Sequence, residues 1–421
     1  MNTLTQQIVG RIAAAETKPD FLEALFRGHR QAALDGAPVV LFGAGGLGAE
    51  LCATLRTHGV SPVCFCDNDD TRKGGEYCNI PVITYQELQD SHRSSLIIIA
   101  SHKYLAPLTD QLLRSGFVSD RVLCQQSDPI TPILFMYAMI GSQCLIAGYR
   151  IECGERTVLD TYREHEQAVL AAYKLLSDEH SQELYIAKLA LMASNGNFEL
   201  FQDFIRNFSQ PVLQFGFGHY EGTPEDYFYF NNDVLTLSPD EVYIDVGAYD
   251  GDTVATFVEA CSRARVEYRK IHAFEPDPHC YQALLKNTAG YQNVVCHPAG
   301  VWSHSQMLRF STSDTGIHDQ AGTIDHSGNI EIPVVSLDEA LPGEKVTLIK
   351  MDPGGNVIPE AVRGAAGIIA RDKPKLALGA YHSVTSMFEI PLLLHGICPA
   401  YKLYLRHNTY HLCDTDLYAT L

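Results

Sequence analysis

The sequence is short of positive charge. Lysine and arginine together number 31 against 50 aspartates and glutamates, a formal charge of −19. A surface that acidic repels phosphate backbones and anionic lipid headgroups, which disfavours nucleic-acid and membrane-surface partners. Long apolar runs are also missing. The longest, Pro132 to Ile140, falls well under the roughly 20 residues that cross a bilayer. Met1 to Gln7 has neither the basic nor the apolar region of a signal peptide, so a cytoplasmic location is expected. The 12 cysteines lack the spacing of a disulfide framework and read as small buried thiols. No internal repeat or low-complexity tract interrupts the chain.

What is present is enough chain for two or three domains, at 421 residues. Residues 1–35 have apolar positions at helical spacing (Leu4, Ile8, Ile12, Phe21, Leu22, Leu25, Phe26). From Val39 to about Asp128, short apolar runs at Val39–Phe42, Val63–Cys66 and Leu96–Ala100 alternate with helical stretches, the pattern of parallel βαβ units. Residues 131–236 are poor in strand signals. Glu155 to Leu191 has helical periodicity and many charged residues, so this part is expected to be a helical connector ending near Ser194-Asn-Gly-Asn197. A second α/β unit spans 237–421, with strands expected at Val242–Val246, Lys270–Phe274, Val294–Cys296, Val346–Met351 and Leu376–Ala380. Two further strands, Tyr401–Arg406 and His411–Ala419, form a terminal hairpin. The expected fold class is therefore α/β: two Rossmann-like units, the second having the element order of a class I methyltransferase sheet with an antiparallel last strand.

The strongest motif is Ile244-Asp-Val-Gly-Ala-Tyr-Asp-Gly-Asp-Thr253, after a strand and before a helix. Gly247 and Gly251 let backbone approach a ligand without a Cβ clash. Asp245 ends the strand, where a carboxylate can support the loop or receive a ligand ammonium. Glu275 ends the next strand, in Ala273-Phe-Glu-Pro-Asp277. An acid there can accept both hydroxyls of an adenosine ribose at the carboxyl edge of a parallel sheet. The bland reading makes the first motif a tight turn and Glu275 a surface acid. Two carboxylates at one sheet edge favour the adenosine ligand.

Together with Val335-Ser-Leu-Asp-Glu339, Thr347-Leu-Ile-Lys-Met-Asp352, Arg363-Gly-Ala365, Tyr381-His382, Tyr404-Leu-Arg-His407 and Leu417-Tyr-Ala419, these stretches make residues 225–421 resemble the FkbM-type S-adenosylmethionine-dependent methyltransferases. The resemblance implies methyl transfer, usually to oxygen, on sugars or other small natural products. It assigns Asp245, Gly247, Gly251, Asp252 and Glu275 to S-adenosylmethionine; no metal is expected, because the two carboxylates that could support one at the fourth strand are replaced here. One departure stands out. The family reads Lys-Met/Ile-Asp-x-Glu-Gly-x-Glu at the fourth strand, whereas here Gly354 and Val357 occupy the two glutamate positions. Asp352 survives. His382, after the fifth strand, is the substitute base to consider, because an imidazole titrates in the range suited to a hydroxyl proton. A half-buried structural histidine is the bland alternative. Arg406 and His407 read as structural support for the hairpin.

The first unit carries Gly43-x-Gly45-x-x-Gly48 between strand and helix, with Asp67 closing the second strand. Glycines there expose N–H groups that attract a pyrophosphate. Val63-Cys-Phe-Cys-Asp-Asn-Asp69, Lys73-Gly-Gly75 and Ile80-Pro-Val82 resemble Rossmann-like domains attached to sugar-modifying transferases. A nucleotide-sugar, a dinucleotide and an empty scaffold all stay open for Gly43, Gly45, Gly48 and Asp67. Cys64 and Cys66 read as core, since no second ligand pair follows at zinc spacing. His407 and His411 flank a turn and make a poor metal pair. Tyr227 to Phe230 could cover a cofactor pocket, but core packing ahead of the first strand is the favoured reading.

The sequence thus points to a small-molecule methyltransferase acting on a hydroxyl acceptor, with a nucleotide-sugar as one candidate and homo-oligomerisation open. The rival of a different class is a catalytically weakened protein that binds S-adenosylmethionine or a nucleotide-sugar, favoured by Pro353-Gly-Gly355 in place of the glutamate loop. A nicotinamide-dependent oxidoreductase is disfavoured for want of a downstream dehydrogenase set.

Overall fold

A computed structural model describes residues 3–141, 152–208, 228–230, 232–311, 323–324, 328–408 and 413–421. The chain divides into two compact units. One takes residues 8–147 and 190–207; the other takes 1–7, 148–189 and 208–421. Residues 131–236, expected as a connector, are thus shared out between the units.

In the first unit, apolar runs of full burial make the central strands β1 (Val39–Phe42), β2 (Cys64–Cys66) and β5 (Leu96–Ile99). Strands β3 (Glu76–Tyr77) and β4 (Ile80–Ile83) form a hairpin, and β6 (Val122–Leu123) closes the far edge. The sheet order is β3-β4-β2-β1-β5-β6, parallel throughout except β3 against β4. The sequence motif Ile80-Pro-Val82 hid β4, because proline is tolerated only where its missing N–H is not needed. The helix Tyr85–Ser91 begins with a capping box between Thr84 and Glu87. Helices Thr131–Gly141 and Phe198–Phe208 close an aromatic cluster on this unit. Tyr137 lies 5.0 Å from Phe21, 5.1 Å from Phe198 and 5.5 Å from Phe201 between ring centroids. Its hydroxyl donates to the Gly196 carbonyl at 3.0 Å.

The second unit is built on β7 (Glu241–Val246), β8 (Tyr268–Phe274), β9 (Val294–His297), β14 (Leu348–Met351), β15 (Lys375–Gly379), β16 (Lys402–His407) and β17 (Thr415–Thr420). Its order is β16-β17-β15-β14-β7-β8-β9. The first five pair in parallel, and β17 runs antiparallel between β15 and β16. This is the expected α/β sheet with its terminal hairpin. A second, four-stranded sheet escaped the sequence reading: β10 (Gly300–Val301), β11 (Gln306–Ser311), β12 (Thr323–Ile324) and β13 (Ile330–Val335), in the order β10-β13-β11-β12. Phe310, Ile332 and Val334 form its core.

The single helical run expected over Glu155–Leu191 breaks into Val158–Glu164, Glu166–Leu175 and Glu179–Ala193. The second break has a purpose. Leu176 pairs with Leu403 on edge strand β16, the Ser177 N–H donates to the Leu403 carbonyl at 2.8 Å, and Ser177 and Ser181 hydroxyls receive the Leu403 and Leu405 N–H groups. The edge is thereby covered rather than left as a pairing template. Among the described residues no helix is long and apolar enough to cross a membrane.

Candidate functional site

The carboxyl edge of the second sheet collects most of the residues singled out from the sequence. The loop after β7 turns on Gly247, at φ +75°, and Gly251, at φ +94°. A Cβ on Gly247 would lie 3.0 Å from the Asp352 carbonyl oxygen and 3.0 Å from Pro353. A Cβ on Gly251 would meet Thr288 at 3.0 Å and Leu284 at 3.2 Å. Gly247 therefore sets how closely the two loops approach, and Gly251 seats its loop on the helix Pro278–Thr288.

Asp245 is fully buried behind the loop. Its carboxylate accepts from the Thr253 hydroxyl at 2.5 Å and lies 3.1 Å from the Lys350 ammonium. Lys350, itself buried, also donates to the Gly247 carbonyl at 3.0 Å. Burial works against the Lys350 charge, yet Asp245 and then Asp352 hold its pKa above the ordinary lysine value. Of the two roles open to Asp245, the structure shows loop support. Asp252 opens the helix Asp252–Ala264, and burial pushes its carboxyl up to about 6 despite the opposing pull of Lys350. The sequence reading passed over Lys350. The signal was a lone lysine inside the otherwise apolar Thr347-Leu-Ile-Lys-Met351 strand.

Glu275 stands at the end of β8, 6% exposed. One oxygen accepts the Tyr249 N–H and the other the Asp277 N–H, both at 2.9 Å. Burial drives its carboxyl up to about 7, against the lowering effect of those two N–H groups. It lines a pocket of about 690 Å³, counting the open mouth, together with Gly247, Tyr249, Asp277 and the Asp352–Gly354 turn. Phe310, Ile324 and Ile332 of the small sheet supply an apolar wall. Of the five residues expected at the cofactor, Gly247 and Glu275 line this pocket; Asp245, Gly251 and Asp252 act behind it.

Asp352 and His382, expected to share a role, are in direct contact. His382 Nε2 lies 2.6 Å from Asp352 Oδ1. Two tyrosines not singled out as site residues join them. The Tyr229 hydroxyl donates to Oδ2 at 2.8 Å, and the Tyr381 hydroxyl sits 3.1 and 3.2 Å from the two oxygens. Burial raises the Asp352 carboxyl, but His382, Lys350 and Tyr229 together hold it down at about 2. The group fits only because β15 ends in glycine. A Cβ on Gly379 would stand 2.4 Å from Asp352 Oδ1 and 3.2 Å from His382 Nε2. Gly379→Ala is expected to break the Asp352–His382 contact while leaving a ligand at Glu275 bound with wild-type affinity. A crystal structure of the variant together with calorimetric titration checks both.

The remaining expectations sort as follows. Tyr227 and His411 lie outside the described residues. Phe230 packs on Phe257 at 5.3 Å between centroids, as core. Arg406 binds Asp178 at 2.8 Å and Asp233 at 2.6 Å, and His407 pairs with the Thr415 hydroxyl at 3.0 Å. Both are supports of the hairpin. Cys64 and Cys66 are buried, and burial raises both thiols, Cys64 to about 11. No group of three metal-ligating side chains occurs among the described residues.

In the first unit, a Cβ on Gly43 would meet the Ala100 carbonyl at 2.7 Å, and one on Gly48 would stand 2.2 Å from the Gly43 carbonyl. Packing therefore explains these two glycines. Asp67 accepts the Ala44 N–H at 2.7 Å and the Asp69 N–H at 2.8 Å, so it holds the loop together. Gly45, like Gly46, faces open space, and it is the N-cap of the helix Gly46–Thr57 without a side chain to cap it.

No protein-family model matches the chain, and no curated protein does. Solved structures do. A fibrillarin from Aeropyrum pernix with natively bound S-adenosyl-L-methionine aligns to 43% of this chain and 67% of its own, at 11% identity and a TM-score of 0.27. An rRNA methylase from Streptococcus thermophilus aligns to 44% of this chain and 86% of its own, at 12% identity and a TM-score of 0.27. The methyltransferase FkbM from Methylobacillus flagellatus is of another order: 99% of both chains, 20% identity and a TM-score of 0.62. The chain thus has, along essentially its whole length, the fold of that FkbM methyltransferase.

Proposed function

We propose that this chain is an FkbM-type, S-adenosylmethionine-dependent methyltransferase that methylates a hydroxyl of a sugar, nucleotide-sugar or other small natural product. The observation that carries the reading is Glu275: a carboxylate buried in a mostly apolar pocket, with one backbone donor on each oxygen and lone pairs left for two hydroxyls. The residues fit the cofactor. Gly247 lets the loop after β7 close on the Asp352–Pro353 turn at the pocket, Phe310 and Ile332 offer an apolar face, and Glu275 suits a ribose. When bound, S-adenosylmethionine supplies an electrophilic methyl carbon on a sulfonium. The chain supplies alignment of the acceptor oxygen, which accounts for much of such catalysis, and a proton acceptor at the Asp352–His382 pair.

For the first unit we propose that Gly43, Gly45, Gly48 and Asp67 form the loop that receives a diphosphate, supported by the uncapped helix N-terminus at Gly45. A weakened, binding-only protein is the second reading, favoured by Gly354 and Val357. Thermal-shift titration separates these. S-adenosylmethionine is expected to raise the melting temperature, NAD to leave it unchanged, and UDP- or dTDP-glucose to raise it through the first unit. No rise with any of them refutes both site assignments. Release of S-adenosylhomocysteine with a sugar acceptor then divides enzyme from binder.

A further inference from the structure

Asp352 has its hydrogen-bonding capacity spent. Three side chains from separate stretches of sequence converge on it: Tyr229 at 2.8 Å, Tyr381 at 3.1 and 3.2 Å, and His382 at 2.6 Å. Its own N–H is anchored on the Val246 carbonyl at 3.0 Å. A carboxylate so held already accepts at both of its oxygens. It is also an ionised group, and an ionised carboxylate only accepts. The hydrogen between it and the imidazole must therefore sit on His382 Nε2. In the neutral ring that leaves the lone pair on Nδ1, for which no partner occurs among the described residues. Both phenols are buried and held well above their ordinary pKa by burial first and by Asp352 next, so they stay protonated as donors.

Resting on the methyltransferase reading above, we propose that His382 takes the acceptor's proton on Nδ1, and that Asp352, Tyr229 and Tyr381 are positioning residues that fix the ring in the Nε2–H form. In the step, the acceptor oxygen forms a bond to the methyl carbon as the carbon–sulfur bond breaks. The bonding pair leaves with sulfur, turning sulfonium into thioether. The hydroxyl proton passes to Nδ1, and the resulting imidazolium is balanced by Asp352. The two phenols matter because they keep the carboxylate from rotating and from drawing the Nε2 proton onto itself.

The charged and titratable groups near the ring are Asp352 just after β14, Lys350 within it, Tyr381 beside the ring, Tyr229, and Cys413, Asp414 and Asp416 at and just before the start of the last strand, which act electrostatically on Asp352, Tyr229 or Tyr381. The test is nitrogen-15 NMR of the histidine rings in full-length protein, with His382 assigned by the signal lost in His382→Gln. The neutral wild-type ring is expected as the Nε2–H form. Tyr229→Phe and Tyr381→Phe free the carboxylate to rotate, and Asp352→Asn removes the anion, so each is expected to raise the share of the Nδ1–H form, most in Asp352→Asn. A change of tautomer is what a merely structural role for these residues would not produce. A wild-type Nδ1–H form, or the same tautomer in all three variants as in the wild type, overturns the proposal, and melting curves confirm that each variant is folded. S-adenosylmethionine affinity, titrated calorimetrically, is expected to be unchanged in the phenylalanine variants. If the wild-type protein binds none at all, the methyltransferase reading itself fails and takes the proton-transfer role with it, whatever the tautomer.

Discussion

Lys350→Met is expected to destabilise the second unit by about 3–5 kcal/mol, the cost of stranding a buried carboxylate. The lysine leaves behind a buried anion. Asp245 is wholly inaccessible, with Thr253 and Lys350 as its close partners, and desolvating an anion without a counter-charge costs several kcal/mol. Methionine fills nearly the same volume, so loss of packing adds little. The Gly247 carbonyl also loses its donor. Asp245→Asn on the Lys350→Met background is expected to recover more than half of the loss, since the charge is then gone and the Thr253 hydrogen bond can persist. Urea unfolding midpoints for the single and double variants, analysed as a cycle, check this. A single variant within 1 kcal/mol of wild type would refute the ion pair's structural role.

Glu275→Gln should weaken S-adenosylmethionine binding by about a hundredfold to a thousandfold, because hydrogen bonds to a charged acceptor are worth roughly 1.5–3 kcal/mol each. The same change should flatten the fall in ligand-free stability that the wild type shows as pH rises from 4.5 through about 7, since glutamine does not ionise. The sign follows from burial, which lifts the Glu275 carboxyl from 4.5 to about 7. A folded value above the unfolded one means that the stability this group contributes is full below pH 4.5 and lost as pH rises through about 7. Glutamine keeps the neutral form at every pH. Ligand affinity runs the opposite way. Two ribose hydroxyls need an ionised acceptor, so wild-type affinity should climb as pH rises toward and past 7, and Glu275→Gln should flatten that dependence. Melting curves and calorimetric titrations between pH 5 and 9 test both halves. A variant that loses both stability and affinity would mark Glu275 as a structural residue only.

Much of the fold could be read from the chain because its central strands are short apolar runs set off by glycine and polar turns. Val39–Phe42, Leu96–Ile99 and Glu241–Val246 were legible in this way, and the terminal hairpin betrayed itself by β-rich composition after the last helix. The small sheet was not legible. Its strands alternate buried and exposed positions over only two to six residues, and exposed Met307 blurs the pattern further. Yet that sheet supplies the apolar wall of the pocket. The candidate site divides along the same line. Glu275 and Asp352 could be picked out because each ends a parallel strand, where the sheet edge places functional groups. Tyr229 could not, since it reaches Asp352 across 123 positions of sequence and sits in a one-turn helix rather than at a strand end. Asp245 shows the limit of motif reading: the residue stands where expected, but its carboxylate faces a lysine rather than the pocket.

The helix Phe198–Phe208 has a bearing on how the molecule can be made. The first unit's sheet is complete in sequence by Leu123, yet the unit also takes in residues 190–207, after the chain has given 148–189 to the other unit. On the ribosome, Phe21 and Tyr137 emerge long before Phe198 and Phe201 arrive to cover them. Leu176, meanwhile, must wait for Leu403, near the very end of synthesis. Each unit thus holds a contact whose second partner arrives only after a long intervening stretch of chain. A polypeptide cut after residue 147 would carry an intact β-sheet and an uncovered aromatic face.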